Sequence, residues 1–231
     1  MDLCIHGTGG KPMLVFSCQG GKAVEFADFG MVDVVRPYLE QEQLRVFTVD
    51  SVDNQSWANW NAPPRDRALR HEQYDRFILS EVVPFIRRYY NGAEVQCLTF
   101  GCSMGAYHAA NFLFRHPDVF DSAISLSGVF DLRLFIGDYM DENVYFNSPL
   151  HYLRNLTDPW YLEAYRRNKI IICCGQGAWE DHMLADIRQL DEILKEKHIP
   201  AWIDVWGYDV NHDWPWWRIQ LPYFLGHLLP E

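Results

Sequence analysis

Val95-Gln96-Cys97-Leu98-Thr99-Phe100-Gly101-Cys102-Ser103-Met104-Gly105 runs from a short apolar, strand-like segment straight into a G-x-S-x-G pattern, and Met104 to Arg115 behind it reads as a helix. Alone, the pattern arises by chance in roughly one chain in ten of this length, at about 7% each for Gly and Ser. Its position after a strand and before a helix is what gives it weight. A serine on so tight a turn needs neighbours without bulk two residues before and two after, and Gly101 and Gly105 supply them. The helix start behind the turn offers free N–H groups and a positive dipole end, which favour an oxyanion, and Met104 N–H is the first candidate donor. An ordinary glycine-bounded turn whose serine caps the helix is the competing reading. Cys102 is a poor rival nucleophile, because the residue beside such a serine packs inward and nothing near it in sequence would lower its pKa.

Working outward, short runs rich in β-branched and aromatic residues alternate with longer amphipathic stretches, the pattern of parallel strands joined by crossover helices. Strands are expected at Met13 to Cys18, Leu44 to Asp50, Glu94 to Phe100, Ser122 to Ser127, Lys169 to Cys174 and Ala201 to Trp206. Leu3 to Ile5 adds an edge strand, joined to Met13 through Gly7-Thr8-Gly9-Gly10. Helices are expected near Met31 to Glu40, His71 to Tyr90, Met104 to His116, Asp181 to Lys197 and Trp216 to Leu229. The fold class is α/β, with a mostly parallel sheet and helices on both faces. Residues 129–168 break the rhythm with Gly137, Asn147-Ser148-Pro149 and Asp158-Pro159, and read as a cap inserted over a pocket in one domain spanning 1–231.

Composition narrows the function. Apolar residues are 48% and charged residues 22%, an ordinary globular balance at 231 residues. A net charge of −11, with only short basic patches at Arg65, Arg67, Arg70 and at Arg87-Arg88, argues against nucleic acid and for a small neutral or apolar substrate. The C-terminal tryptophans Trp202, Trp206, Trp214, Trp216 and Trp217 are expected to be mostly core. The six cysteines show no disulfide framework, and Cys97, Cys173 and Cys174 sit in apolar runs as buried thiols. Met1 to His6 has no basic-then-apolar leader pattern, and no apolar run reaches about eighteen residues, so a cytoplasmic location without membrane contact is expected. A homo-oligomer is compatible with the sequence, which leaves oligomeric state open.

An elbow serine needs a base, and the expected chain order is serine, acid, histidine, with the histidine after the last strand. His212 stands there, in Gly207-Tyr208-Asp209-Val210-Asn211-His212-Asp213-Trp214-Pro215. The acid belongs just past Lys169 to Cys174, where Gly175-Gln176-Gly177-Ala178-Trp179-Glu180-Asp181 carries two adjacent carboxylates. Asp181 is favoured and Glu180 is the alternative, the other being an N-cap or first-turn acid. The second oxyanion donor is expected from Gln19-Gly20-Gly21, with Gly20 N–H as the guess within it. The loop Asp50 to Trp60, leaving another strand's carboxyl end, is expected to line the pocket, with Asn54 and Trp57 as candidate substrate contacts. No metal or cofactor is required by this chemistry.

These residues together resemble the α/β-hydrolase family described as "Putative esterase", which includes S-formylglutathione hydrolases, feruloyl esterases, enterochelin esterases and mycolyltransferases. The likeness is carried by Leu14-Val15-Phe16-Ser17-Cys18-Gln19-Gly20-Gly21, Val49-Asp50-Ser51-Val52-Asp53, Gly101-Cys102-Ser103-Met104-Gly105, Phe114-Arg115-His116-Pro117-Asp118-Val119-Phe120 and Asn211-His212-Asp213-Trp214. It implies the α/β-hydrolase fold and hydrolysis of a small carboxylic ester through an acyl-enzyme, with the triad carried onto Ser103, Asp181 and His212. Because the family's acid is Asp or Glu, the Glu180-Asp181 pair stays open. Gln19-Gly20-Gly21 departs from the His-Gly of related lipases. Acyl transfer to another alcohol by the same triad, and a catalytically silent hydrolase fold used for binding, are the alternatives.

Overall fold

The computed structural model describes residues 1–229; the last two positions of the expected domain, 230 and 231, lie outside the described residues. The described strands are β1 (Leu3–His6), β2 (Lys11–Phe16), β3 (Leu44–Val49), β4 (Cys97–Cys102), β5 (Phe120–Leu126), β6 (Lys169–Cys174) and β7 (Trp202–Val205). They form one sheet in the order β1-β3-β2-β4-β5-β6-β7. Only β1 runs antiparallel, against β3; every other pairing is parallel. The fold is therefore the expected α/β class.

Alternation along each strand feeds two cores. Leu14 and Phe16 of β2 point to one face with Tyr74, Phe112 and Leu190, while Met13 and Val15 point to the other with Val35, Trp217 and Leu221. Helices α2 (Pro64–Phe77), α3 (Met104–Arg115) and α4 (Asp181–Glu196) cover the first face, and α1 (Met31–Glu40) and α5 (Trp214–Leu228) cover the second. Each fully buried large apolar side chain contributes roughly 1.5–3 kcal/mol. Phe16 stacks on Phe112 at 4.7 Å, so the end of β2 is locked to the helix that follows β4.

Strand order reverses between β2 and β4, because β2 leads outward to β3 while β4 leads the other way to β5. Ligands bind at such a switch point, outside the carboxyl ends of the strands. Phe16 pairs with Gly101 there, so the loops leaving β2 and β4 emerge side by side.

Residues 129–168 fold as short helices, Arg133–Ile136, Glu142–Tyr145, Pro149–Asn155 and Pro159–Arg167. The expected cap divides in two. Val129, Leu132, Phe135 and Ile136 cluster with Met104 beside Ser103. Tyr165, in the last of these helices, reaches away to the Phe114 carbonyl at the far end of α3. No helix among the described residues is long and apolar enough to cross a membrane.

Candidate active site

Ser103 leaves β4 at φ 57°, ψ −123°, a conformation that costs a non-glycine residue about 1–3 kcal/mol and persists only when its surroundings impose it. The surroundings are backbone. A Cβ on Gly101 would stand 2.1 Å from the Gly105 carbonyl oxygen, and one on Gly105 would stand 2.2 Å from that of Phe16. Strand and helix thus approach only because both positions are glycine, as the motif predicted. The N–H groups of Ala106 and Tyr107 donate to the Ser103 carbonyl, whereas Met104 N–H, at the first position of α3, has no hydrogen-bond partner among the described residues.

His212 arrives from 109 residues away with Nε2 2.9 Å from Ser103 Oγ. Its loop is laced to the one after β6. His212 N–H donates to the Ala178 carbonyl, Gly177 N–H donates to the Val210 carbonyl, and Ala178 N–H donates to Asn211 Oδ1. Gly175 and Gly177 let the two loops touch, since a Cβ on either would meet Val210 or Asn211 within about 2.3 Å. The Trp217 indole stands edge-on to the imidazole at 5.0 Å, and Asp213 caps α5 through Trp214 N–H.

The acid facing His212 is Glu180, which corrects the preference for Asp181. Glu180 is 1% exposed, and its Oε2 lies 3.6 Å from His212 Nδ1. Asp181 is exposed and makes neither a hydrogen bond nor an ion pair with the histidine. Side chains at consecutive helix-start positions diverge by about 100°, so one of two adjacent carboxylates turns inward and the other faces water. Glu180 Oε1 accepts from Ser127 Oγ at 2.6 Å, and Ser127 Oγ accepts from Trp217 Nε1 at 3.2 Å. The 3.6 Å gap is too long for a hydrogen bond, and Oε2 and Nδ1 are both buried without another partner. Hydrogen bonds at catalytic sites are often this long without substrate and tighten in the substrate complex.

The loop after β2 lies against the elbow, for Cys18 Sγ donates to the Cys102 carbonyl at 3.4 Å. Within it, Gly20 N–H donates to Ser51 Oγ at 3.2 Å, which corrects the expectation that it faces an oxyanion. Gly21 N–H closes a turn onto the Cys18 carbonyl. Among the described residues, Gln19 N–H is the unpartnered donor of the three. Asn54 packs against the α-carbon of Gly20, beside this loop. Trp57 is fully buried and contacts the His71 ring at 5.0 Å, so it does not line an open pocket; its indole N–H is unpartnered. Burial pushes the Cys102 thiol well above its ordinary range, with Cys18 and Glu25 adding to it, which disqualifies it as a nucleophile.

Sequence reasoning missed Ser127 and Trp217. Trp217 follows His212 by five residues, in the helix that opens at Trp214, and Ser127 lies just past the end of β5; neither position carries a motif that marks it. Among the described residues, no group of three or more His, Cys, Asp or Glu side chains is arranged to hold a metal ion.

The family described as "Putative esterase" matches residues 11–228. No curated protein matches the chain. A ferulic acid esterase structure superposes with a TM-score of 0.72 at 18% identity, covering 95% of this chain and 85% of that one. An S-formylglutathione hydrolase from Agrobacterium tumefaciens gives 0.72 at 13% identity, covering 97% and 87%. A substrate-bound fluorophosphonate-binding serine hydrolase from Staphylococcus aureus gives 0.65 at 20% identity, covering 97% and 85%. At these identities the structures establish a shared fold. The family match over nearly the whole chain establishes more: the protein belongs to the "Putative esterase" family, and its fold is that of the α/β-hydrolases.

Proposed function

We propose that the chain cleaves a small carboxylic ester through an acyl-enzyme on Ser103, with His212 as base and Glu180 as the orienting acid. The observation that carries this reading is the 2.9 Å approach of His212 Nε2 to Ser103 Oγ, at a strained elbow.

His212 Nε2 takes the hydroxyl proton as Ser103 Oγ bonds to the ester carbonyl carbon. The carbonyl electrons move onto oxygen, and the free N–H groups of Met104 and Gln19 hold that oxyanion. The imidazolium now carries a proton on Nδ1, and Glu180 Oε2 closes on it. Collapse of the tetrahedral adduct breaks the bond to the leaving oxygen, which takes the proton from Nε2. Water, activated by the same histidine, then frees the acid and restores Ser103. The six cysteines, all free, fit a reducing compartment, in keeping with a cytoplasmic location.

Steady-state hydrolysis of p-nitrophenyl acetate tests the reading, with longer acyl chains to gauge the pocket and added alcohols to reveal transfer. The wild-type chain should turn over, and Ser103→Ala should lose at least about 10⁴-fold in kcat/KM. Equal rates in the two proteins would remove Ser103 from the reaction.

A further inference from the structure

Asp53 and His108 form a second carboxylate–imidazole pair, which the triad does not use. Asp53 Oδ1 and His108 Nε2 are 2.9 Å apart, and the two side chains are 0% and 1% exposed. Burying an ionisable pair so completely is a poor way to gain stability, because desolvation consumes most of the attraction. Its partners indicate another role.

The second oxygen of Asp53 accepts from Ser51 Oγ at 2.6 Å. Ser51 Oγ in turn accepts Gly20 N–H at 3.2 Å and Asp53 N–H at 3.0 Å, and Ser51 N–H donates to the Gly21 carbonyl at 3.0 Å. Ser51 therefore grips Gly20 and Gly21 at two points, one residue past the unpartnered Gln19 N–H. Gly20 sits at φ +70°, and the Asn54 amide fills the space where a side chain would stand. A glycine there has wide conformational freedom, and Ser51 restrains it from outside; the Gly21 N–H in turn holds the Cys18 carbonyl at 2.8 Å, which shares a peptide plane with the Gln19 N–H, so Ser51 acts on that N–H through the turn. The carboxylate of Asp53 polarises the Ser51 hydroxyl and makes it a better acceptor for Gly20.

His108 anchors the other end. It lies on α3, four residues and about one turn after Met104, in the helix whose first N–H is that of Met104. We infer that His108, Asp53 and Ser51 are positioning residues that aim the Gln19 N–H at the point where Met104 N–H also aims, so that α3 sets both oxyanion donors. The inference rests on the Ser103 mechanism proposed above. In that scheme the relay touches no substrate. It acts when charge develops on the carbonyl oxygen, so its loss lowers kcat and leaves ground-state binding unchanged.

The test compares the whole protein with Ser51→Ala, Ser51→Thr and Asp53→Asn. Each is assayed for kcat and KM on p-nitrophenyl acetate and for affinity toward an aryl trifluoromethyl ketone, whose adduct with Ser103 carries the oxyanion. Ser51→Ala should lower kcat about 10- to 100-fold with KM within about twofold, and should weaken the ketone by the same factor. Ser51→Thr, which keeps the hydroxyl, should recover most of both. Asp53→Asn should repeat the Ser51→Ala pattern, and stands in for it should that variant fold poorly. Unchanged kcat in Ser51→Ala and Asp53→Asn, or a fall in kcat with ketone affinity intact, overturns the inference while leaving the triad standing. A wild-type protein inactive on esters and unreactive to the ketone overturns both.

Discussion

Ser103, Ser127 and Trp179 have positive φ without being glycine, three of the six such residues in the described chain; Ser103 contacts His212, Ser127 contacts Glu180 and Trp217, and Trp179 precedes Glu180. Strain gathered in one place marks where the fold is held for chemistry rather than stability. For the two serines the return is visible: one hydroxyl meets the imidazole and the other meets the carboxylate. Trp179 is different, because its indole is 85% exposed and its strained backbone turns the chain so that Glu180 faces inward. Replacing it with glycine relieves the left-handed penalty without removing packing. Trp179→Gly should therefore raise stability by about 0.5–1 kcal/mol, read as the urea midpoint at constant slope. A lower midpoint would mean that the indole makes contacts that stabilise the fold. The same stretch explains why the acid was misjudged from sequence. Two adjacent carboxylates at a helix start look alike in composition, and only the local turn at Trp179 determines which one is buried.

Helices α2 and α3 meet through rings. His71 of α2 stacks on His108 of α3 at 5.3 Å and also contacts Trp57, and both His71 ring nitrogens are buried without partners. Burial pushes the His71 pKa well below its ordinary 6.5, with His108 and Arg115 acting in the same direction. The folded state thus refuses a proton that the unfolded chain accepts. By linkage, stability is complete above 6.5 and falls as pH drops below it, by up to about 1.4 kcal/mol per pH unit. His71→Phe should flatten the acid limb of stability between about pH 6.5 and 5 relative to wild type; parallel curves would show that His71 is protonated when folded. At this scale the sequence was informative where periodicity was clean. Met31 to Glu40 and Lys169 to Cys174 fall on the observed bounds. It was less so from His71 to Tyr90, where the helix starts earlier, at Pro64. The early turns carry Arg65, Asp66 and Arg67 rather than an apolar stripe, and the start is signalled by Pro63-Pro64. The stretch also widens into one i→i+5 turn at Ile78–Val82, ahead of Pro84, which cannot donate to the preceding turn.

For the molecule as a whole, sheet order matters more than any single element. Placing β2 beside β4 sets the Gln19 loop against the elbow, and placing β7 beside β6 sets the His212 loop against Glu180. The juxtaposition of Ser103 and His212 was legible because motif and chain order specify it without coordinates. The pairing of Ser51 with Gly20, of Asp53 with His108 and of Ser127 with Glu180 was not, since these residues lie 31, 55 and 53 positions apart and share no motif. The central claim is that Ser103, His212 and Glu180 act as one unit. The most direct measurement is the rate of fluorophosphonate labelling, with the modified residue located by mass spectrometry, in wild type, His212→Ala, Glu180→Gln and Asp181→Asn. The account predicts label on Ser103, loss of labelling in His212→Ala, a rate roughly 10²- to 10⁴-fold lower in Glu180→Gln, and a rate within about twofold of wild type in Asp181→Asn. Label on another residue, or a slow Asp181→Asn beside a fast Glu180→Gln, would contradict it.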